Sequence, residues 1–67
     1  MEITVNNKPI KVQSNLKLSE YLSAHSLSNA RGTAVAVNDC VIAKSEWQRL
    51  VLQENDQVLI IRATQGG

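Results

Sequence analysis

The sequence predicts an α+β domain in which one helix packs against a mixed sheet of four to five strands. Two observations lead to this class: most segments alternate between apolar and polar residues with the period of a strand, and one segment has the period of a helix. The 67 residues suffice for one small domain, which would bury roughly 60% of its unfolded surface. Hydrophobic residues make up 43% of the chain and charged residues 19%, a balance typical of globular rather than disordered chains.

The first two segments predict an N-terminal β-hairpin. In "MEITVN" Ile3 and Val5 share one face of a strand, and in "PIKVQ" Ile10 and Val12 do the same. The intervening "NNK" is turn chemistry, because Asn tolerates the left-handed backbone region. Pro9 lacks an amide donor and therefore fits the first residue of an edge strand.

A change of period predicts the helix, from about Leu16 or Leu18 to about Leu27. The residues at helical spacing are Leu18, Tyr21, Leu22 and His25. Ser14 or Asn15 is expected to cap the helix start. Glu20 lies in the first turn, where the helix dipole favours a negative charge.

The second half of the chain predicts three more strands. After a turn at Gly32, these are "TAVAVN", "CVIA" and "QVLIIRA", and the "ND" between the first two makes a tight turn. Between the last two strands, Ser45 could begin a short helical turn, and Trp47, Leu50 and Leu52 are expected to fold over one end of the core. The order strand, strand, helix, strand, strand, strand favours a β-grasp arrangement, with the last strand parallel to the first at the centre of the sheet.

The last strand is apolar without a break from Val58 to Ile61. Alternate side chains of a strand point to opposite faces, and a single helix covers only one face of this sheet. We predict that Val58 and Ile60 face the helix. Leu59 and Ile61 would then lie with Ala34 or Ala36 on an exposed apolar patch, of the kind that often binds a partner. The alternative is that a central strand is simply apolar on both sides.

Composition narrows the functional classes. The formal net charge of +1 gives no reason to expect nucleic-acid or membrane binding, and no apolar run approaches the roughly 20 residues that cross a bilayer. Glu2 and the alternation around it do not fit a signal peptide. Cys40, the only cysteine, cannot form an internal disulfide, so we expect a cytoplasmic protein.

The sequence ends in two of its three glycines, Gly66 and Gly67. At average glycine usage such a pair would close about one chain in 200 by chance. Glycine has no Cβ, so this end could thread a narrow channel and expose its carboxylate to a partner enzyme. Activation with ATP as an acyl-adenylate would allow a sulfur nucleophile to leave a thiocarboxylate there. No glycine-rich phosphate loop is present, so ATP must bind to another protein.

The whole chain resembles the ThiS family, the small ubiquitin-like sulfur carriers of thiamine thiazole biosynthesis. The resemblance lies in "MEITVNNKPIKV", "LSEYL", "AVAVNDCVIAKSEW" and the terminal "GG". Two departures are Asn38-Asp39, where the family often has "NG", and "IAKS", where it tends to have "VPRS", with Lys44 in place of the arginine. The resemblance implies a β-grasp domain over residues 1–63 and a flexible tail over residues 64–67.

The resemblance also implies a protein co-substrate rather than an enzyme. A ThiF-like adenylyltransferase would use ATP and Mg²⁺ to activate Gly67, and sulfur from cysteine, by a desulfurase persulfide, would convert it to a thiocarboxylate. A ThiG-like thiazole synthase would accept that sulfur. Thr64, Gln65 and Gly66 would complete the reactive tail. No cofactor or metal is expected to be bound by the chain itself.

Docking to these partners is assigned to Leu59, Ile61 and Arg62. Arg62 is either a solvated strand end or a group that steers the tail toward an acidic groove. Cys40 is expected to be an inert strand cysteine. His25 lacks a second metal ligand at helical spacing, and Trp47 is expected to cover the core edge rather than stack on a ligand.

Three other functions stay open at this point. A molybdopterin-type sulfur carrier would share the fold and the tail, although that family is usually longer, with a bulkier apolar segment before the glycines. A ubiquitin-like modifier would join its tail to lysine amines. A plain interaction module would have an inert tail.

Overall fold

The computed structural model describes residues 1–25 and 32–62. It contains a five-stranded mixed sheet in the order β2-β1-β5-β3-β4. The elements are β1 (Glu2–Val5), β2 (Lys8–Lys11), α1 (Leu18–Ala24), β3 (Thr33–Val37), β4 (Cys40–Ile42), a 3-10 turn (Lys44–Glu46) and β5 (Gln57–Arg62). The β-grasp prediction is confirmed, because β5 lies parallel to β1 and antiparallel to β3 at the centre of the sheet.

Both predicted hairpins are confirmed, and the structure gives their register. Ile3 pairs with Ile10 in the first hairpin, and Val37 pairs with Cys40 in the second. Both hairpins close through two residues with positive φ, at positions 6–7 and 38–39. Type I′ turns require this conformation at both central positions, and Asn and Asp adopt it more readily than most residues. β2 is an edge strand as predicted, although it begins at Lys8 rather than Pro9.

The start of α1 differs from the prediction. Neither Ser14 nor Asn15 caps the helix, which begins at Leu18 after an extended Lys17. The Glu20 carboxylate accepts a hydrogen bond of 2.9 Å from the Lys17 amide. The Leu18 amide donates to the Leu50 carbonyl at 3.0 Å. Pairing with the 47–52 segment therefore satisfies a helix donor that a side-chain cap would otherwise have to meet.

The end of α1 is only partly described. The helix ends at Ala24, and its predicted end near Leu27 lies outside the described residues. The His25 amide donates to the Leu22 carbonyl at 3.2 Å, which closes the last described turn. Gly32 has a φ of 74°, in agreement with the turn predicted there.

The core lies between α1 and one face of the sheet. Its buried side chains are Ile3, Leu18, Leu22, Val35, Val37, Trp47, Leu52 and Val58. Trp47 covers the core edge as predicted, and its indole Nε1 donates to the Ile42 carbonyl at 3.1 Å. The helix covers only one face, so the other face of the sheet stays open. In the described part of the chain, no helix has the length and apolar character needed to span a membrane.

Candidate docking face and carboxyl terminus

The face of β5 that turns away from α1 confirms the predicted alternation. Val58 is buried and Ile60 is half-buried on the helix side, whereas Leu59 is 45% exposed and Ile61 is 54% exposed on the other. A strand places alternate residues on opposite faces, so Leu59 and Ile61 project together from the open side of the sheet.

Cross-strand pairing extends this apolar surface over three strands. Ala36 pairs with Leu59, and Ala34 pairs with Ile61. On the far side of β3, Ala36 also pairs with Val41, which is 75% exposed. Paired residues share a face, and the small alanines leave the larger side chains standing above them. We refer to Ala34, Ala36, Val41, Leu59 and Ile61 as the apolar open face.

Val41 was not predicted as part of this surface. A signal for it exists in the sequence, because a two-residue turn at Asn38-Asp39 fixes Val41 opposite Ala36. Val41 also lines a depression of about 420 Å³ beside the 3-10 turn. Ile42 and Glu46 are among the other residues that line it. Exposed apolar side chains that adjoin one another in this way are typical of surfaces that bind other proteins.

Arg62 lies apart from the two apolar side chains with which it was grouped. It follows Ile60 by two residues and pairs with Thr33, so its side chain starts from the helix-facing side of β5. Leu59 and Ile61 start from the opposite side. Of the three residues assigned to docking, the structure therefore brings two together on one face and places the third on the other.

The reactive tail assigned from the sequence follows β5 after one residue, Ala63. Thr64, Gln65, Gly66 and Gly67 lie outside the described residues. β1 pairs with β5 only as far as Val58, whereas β3 pairs with β5 as far as Arg62. Where β1 ends, the side-chain Oδ1 of Asn6 accepts a hydrogen bond of 2.8 Å from the Ile60 amide. The strand that leads to the tail is thus fixed to its neighbours close to its end.

The remaining candidate residues do not form a catalytic or metal-binding group. Cys40 is exposed on β4, and His25 packs against the Tyr21 ring with 4.3 Å between ring centroids. The Lys44 ammonium lies 5.9 Å from the centroid of the Trp47 ring, a cation–π distance. Within residues 1–25 and 32–62, no cluster of His, Cys, Asp and Glu could hold a metal ion.

Comparisons with known proteins agree with this architecture. The model of the ThiS family matches residues 1–67. The sulfur carrier protein ThiS of Escherichia coli (strain K12) is 25% identical over 67 residues, which cover all of both chains. The crystal structure of a thiamine biosynthesis protein (ThiS) from Geobacter metallireducens aligns with a TM-score of 0.83 at 29% identity, covering all of both chains. The solution structure of a thiamine biosynthesis protein from that organism gives 0.79 at 29% identity, with all of this chain and 88% of the other covered.

Proposed function

Since this chain belongs to the ThiS family, we propose that it is a sulfur carrier of thiamine biosynthesis in which Gly67 bears the sulfur. A carrier of this kind is a co-substrate of its partner enzymes and not a catalyst. The observation that supports the assignment of Gly67 is the terminal Gly66-Gly67 pair, which follows the central strand of a sheet with an open apolar face.

Activation converts a poor acyl donor into a good one. A carboxylate oxygen of Gly67 attacks the α-phosphorus of ATP on a ThiF-like adenylyltransferase, and pyrophosphate leaves with the bonding electron pair. The product is an acyl-adenylate. Mg²⁺ on the enzyme neutralises phosphate charge during this step. The carrier contributes the carboxylate and the slender end that reaches it, because glycine has no side chain to obstruct a narrow channel.

Sulfur then replaces one oxygen. A persulfide, formed on the cysteine desulfurase route, attacks the Gly67 carbonyl carbon, and AMP leaves. The resulting acyl disulfide is cleaved by a second thiol, which forms a disulfide with the donor and releases the thiocarboxylate. The thiocarboxylate sulfur then acts as the nucleophile on the substrate held by a ThiG-like thiazole synthase. After the sulfur has been transferred, the carrier returns to its carboxylate form.

Docking has to bring the tail to a partner's active site. Gly67 follows Arg62 by five residues, so its Cα lies no more than roughly 17 Å from the Cα of Arg62. Leu59 and Ile61 stand on the strand that leads to this tail, and their apolar surface is available for burial against the adenylyltransferase or the synthase. We assign to Arg62, on the other side of the strand, a contact with the partner beside the tail rather than with the surface that covers Leu59.

Intact mass measurement tests this function. The chain is incubated with its own organism's adenylyltransferase, ATP, Mg²⁺ and a sulfide source, and the product is fragmented to locate the change. We expect a mass gain equal to the replacement of one oxygen by sulfur, confined to Gly67. Deletion of Gly67 is the matched control and should abolish the gain, because Gly66 would then end one residue short of the active site.

Two outcomes would contradict the proposal. One is an unchanged mass for the full-length chain with a demonstrably active adenylyltransferase. The other is accumulation of isopeptide conjugates on lysine side chains of other proteins without a thiocarboxylate pool, which would identify a protein modifier instead. Transfer of the sulfur to thiazole synthase, and not to a molybdopterin synthase, completes the test.

A further inference from the structure

Two tight turns flank the beginning of β5 on its two sides. Residues 6–7 connect β1 to β2, and residues 38–39 connect β3 to β4. All four residues have positive φ, from 51° to 70°. Both turns begin beside Val58, one on each side of β5. Because β1 runs parallel and β3 antiparallel to β5, the two turns leave this position in opposite directions along the strand.

An asparagine at the first position of each turn hydrogen-bonds the turn to β5. The Asn6 side-chain oxygen accepts a hydrogen bond from the Ile60 backbone amide at 2.8 Å, and the Asn6 backbone amide donates to the Val58 carbonyl at 2.9 Å. The Asn38 side-chain oxygen accepts a hydrogen bond from the Gln57 backbone amide at 2.9 Å, and the Asn38 backbone amide donates to the Gln57 backbone carbonyl at 2.8 Å. Each turn is therefore held on the strand by backbone and side-chain bonds together, which fixes the position of the residue that follows.

The second residue of each turn lines a pocket between them. This pocket, of about 190 Å³, has Asn7 and Asp39 on its sides, and Gln57 and Leu59 of β5 beneath it. Thr4 and Ala36 are also in its wall. Among the described residues that line it, Asp39 alone has an ionisable side chain. The pocket therefore combines one carboxylate and neutral amide groups with a smaller apolar area from Ala36 and Leu59.

Asp39 occupies a position where glycine would be less costly. Its φ is 67°, and the preferred residue at the second position of such a turn is glycine, which adopts positive φ without steric cost. In residues 1–25 and 32–62 its carboxylate takes part in no hydrogen bond. The side chain thus does not stabilise its own turn. A charged side chain at a position with positive φ, which makes no hydrogen bond within its own turn, is a reason to look for a function.

We propose that this pocket receives a lysine or arginine side chain of the activating adenylyltransferase, with Asp39 as its counter-ion. Long basic side chains are amphipathic, so the aliphatic stem would lie on Leu59 and Ala36 while the charged head meets the Asp39 carboxylate and the Gln57 amide oxygen. Leu59 and Ala36 also belong to the apolar open face. One partner surface that covers this face therefore reaches the pocket as well.

This inference rests on the proposed function and adds a specificity-determining contact to it. An apolar surface gives affinity with little selectivity, whereas an ion pair at its margin favours partners with a basic group at that place and disfavours acidic ones. Asp39 stands where the resembling family often has glycine. The contact would accordingly distinguish the adenylyltransferase that works with this carrier from one that works with a carrier having glycine there.

The test compares Asp39→Asn and Asp39→Gly with the parent chain for binding to the cognate adenylyltransferase. Dissociation constants are measured by titration calorimetry without ATP, at low and at moderate salt concentration. We expect both variants to bind about tenfold more weakly at low salt, between the effects of an exposed and of a buried charged pair. The affinity of the parent chain should fall more steeply with salt than that of either variant.

Controls separate this effect from loss of fold and from net charge. Asp39→Gly relaxes the backbone at a φ of 67°, so its thermal stability should equal or exceed that of the parent. Glu54→Gln makes the same change in net charge in the turn before β5, outside the residues that line the pocket, and keeps an oxygen that can accept from the Glu2 amide. It should leave the affinity within twofold.

Equal affinities of the parent and both Asp39 variants would overturn the inference. So would weakening toward thiazole synthase alone, since the contact is assigned to the adenylyltransferase. The intact mass of the parent chain after activation distinguishes failure of the pocket contact from failure of the carrier function. A thiocarboxylate at Gly67 with unchanged affinities refutes the pocket and leaves the carrier function in place, whereas its absence refutes the carrier function.

Discussion

Truncation of the two large side chains on β5 gives the sharpest test of the docking face. We predict that Leu59→Ala and Ile61→Ala each weaken binding to the adenylyltransferase while the domain stays folded. Neither residue belongs to the buried core, so the loss of free energy of unfolding should be small. Both side chains project from the same face, and their removal lowers the apolar area that a partner can cover.

The magnitude follows from how much of each side chain is still exposed. Full burial of a Leu or Ile side chain contributes about 1.5–3 kcal/mol. With 45% of Leu59 exposed, docking can add at most about 0.7–1.4 kcal/mol, a factor of about three to ten in the dissociation constant. With 54% of Ile61 exposed, the corresponding ceiling is about 0.8–1.6 kcal/mol. For the double variant the combined ceiling is about 1.5–3 kcal/mol, a factor of about ten to 150 in the dissociation constant, although neighbouring sites need not be additive.

Calorimetric titration of each variant against the adenylyltransferase measures the effect. Ile60→Val is the matched control, because Ile60 lies between the two on the same strand but faces the helix. It should lower the free energy of unfolding by about 0.5–1.5 kcal/mol and leave the affinity unchanged. Urea unfolding followed by Trp47 fluorescence verifies that every variant is folded. A double variant that binds as tightly as the parent would refute the assignment of this face to docking.

Three further predictions concern the fold that supports the site. Asn6→Gly keeps a residue suited to positive φ but removes the bond to the Ile60 amide, so urea unfolding should show a loss of about 1 kcal/mol; an unchanged midpoint would mean that this bond is not needed. Glu20→Ala removes the acceptor of the Lys17 amide and should also cost about 1 kcal/mol, whereas Glu20→Gln should recover part of it. Leu22→Ala should cost about 2–5 kcal/mol, a large part of the total for a chain of this length, and should leave much of the protein unfolded by circular dichroism at room temperature; full folding would contradict the central place of Leu22 in the core.

Local patterns were sufficient to predict most of the architecture. Period-two alternation located the strands, and the asparagine-rich turns fixed both hairpins, since few other residues tolerate their backbone angles. The faces of β5 could be assigned because a single helix covers one side of the sheet. The same alternation places Arg62 on the helix side with Ile60, and applying it one residue further would have separated Arg62 from Leu59 and Ile61.

Features that depend on distant parts of the chain could not be predicted in this way. The start of α1 depends on the Leu50 carbonyl, which accepts from the Leu18 amide and which no local cap motif announces. The pocket beside Asp39 exists only because two turns more than thirty residues apart in sequence lie on either side of β5. The sequence shows that Asn38-Asp39 departs from a family pattern. It does not show that Asn7, Gln57 and Leu59 lie around the same pocket as Asp39.

The parallel pairing of β1 with β5 has a consequence for how the protein is made. The middle of the sheet joins the earliest-synthesised strand to the latest, so a nascent chain that stops before residue 57 has two hairpins with nothing between them. Such distant pairing is slow to form and leaves unpaired strand edges until it does. The sheet therefore cannot be completed before β5 has been synthesised. A partner that recognises Leu59 and Ile61 would therefore ignore chains that stop before β5.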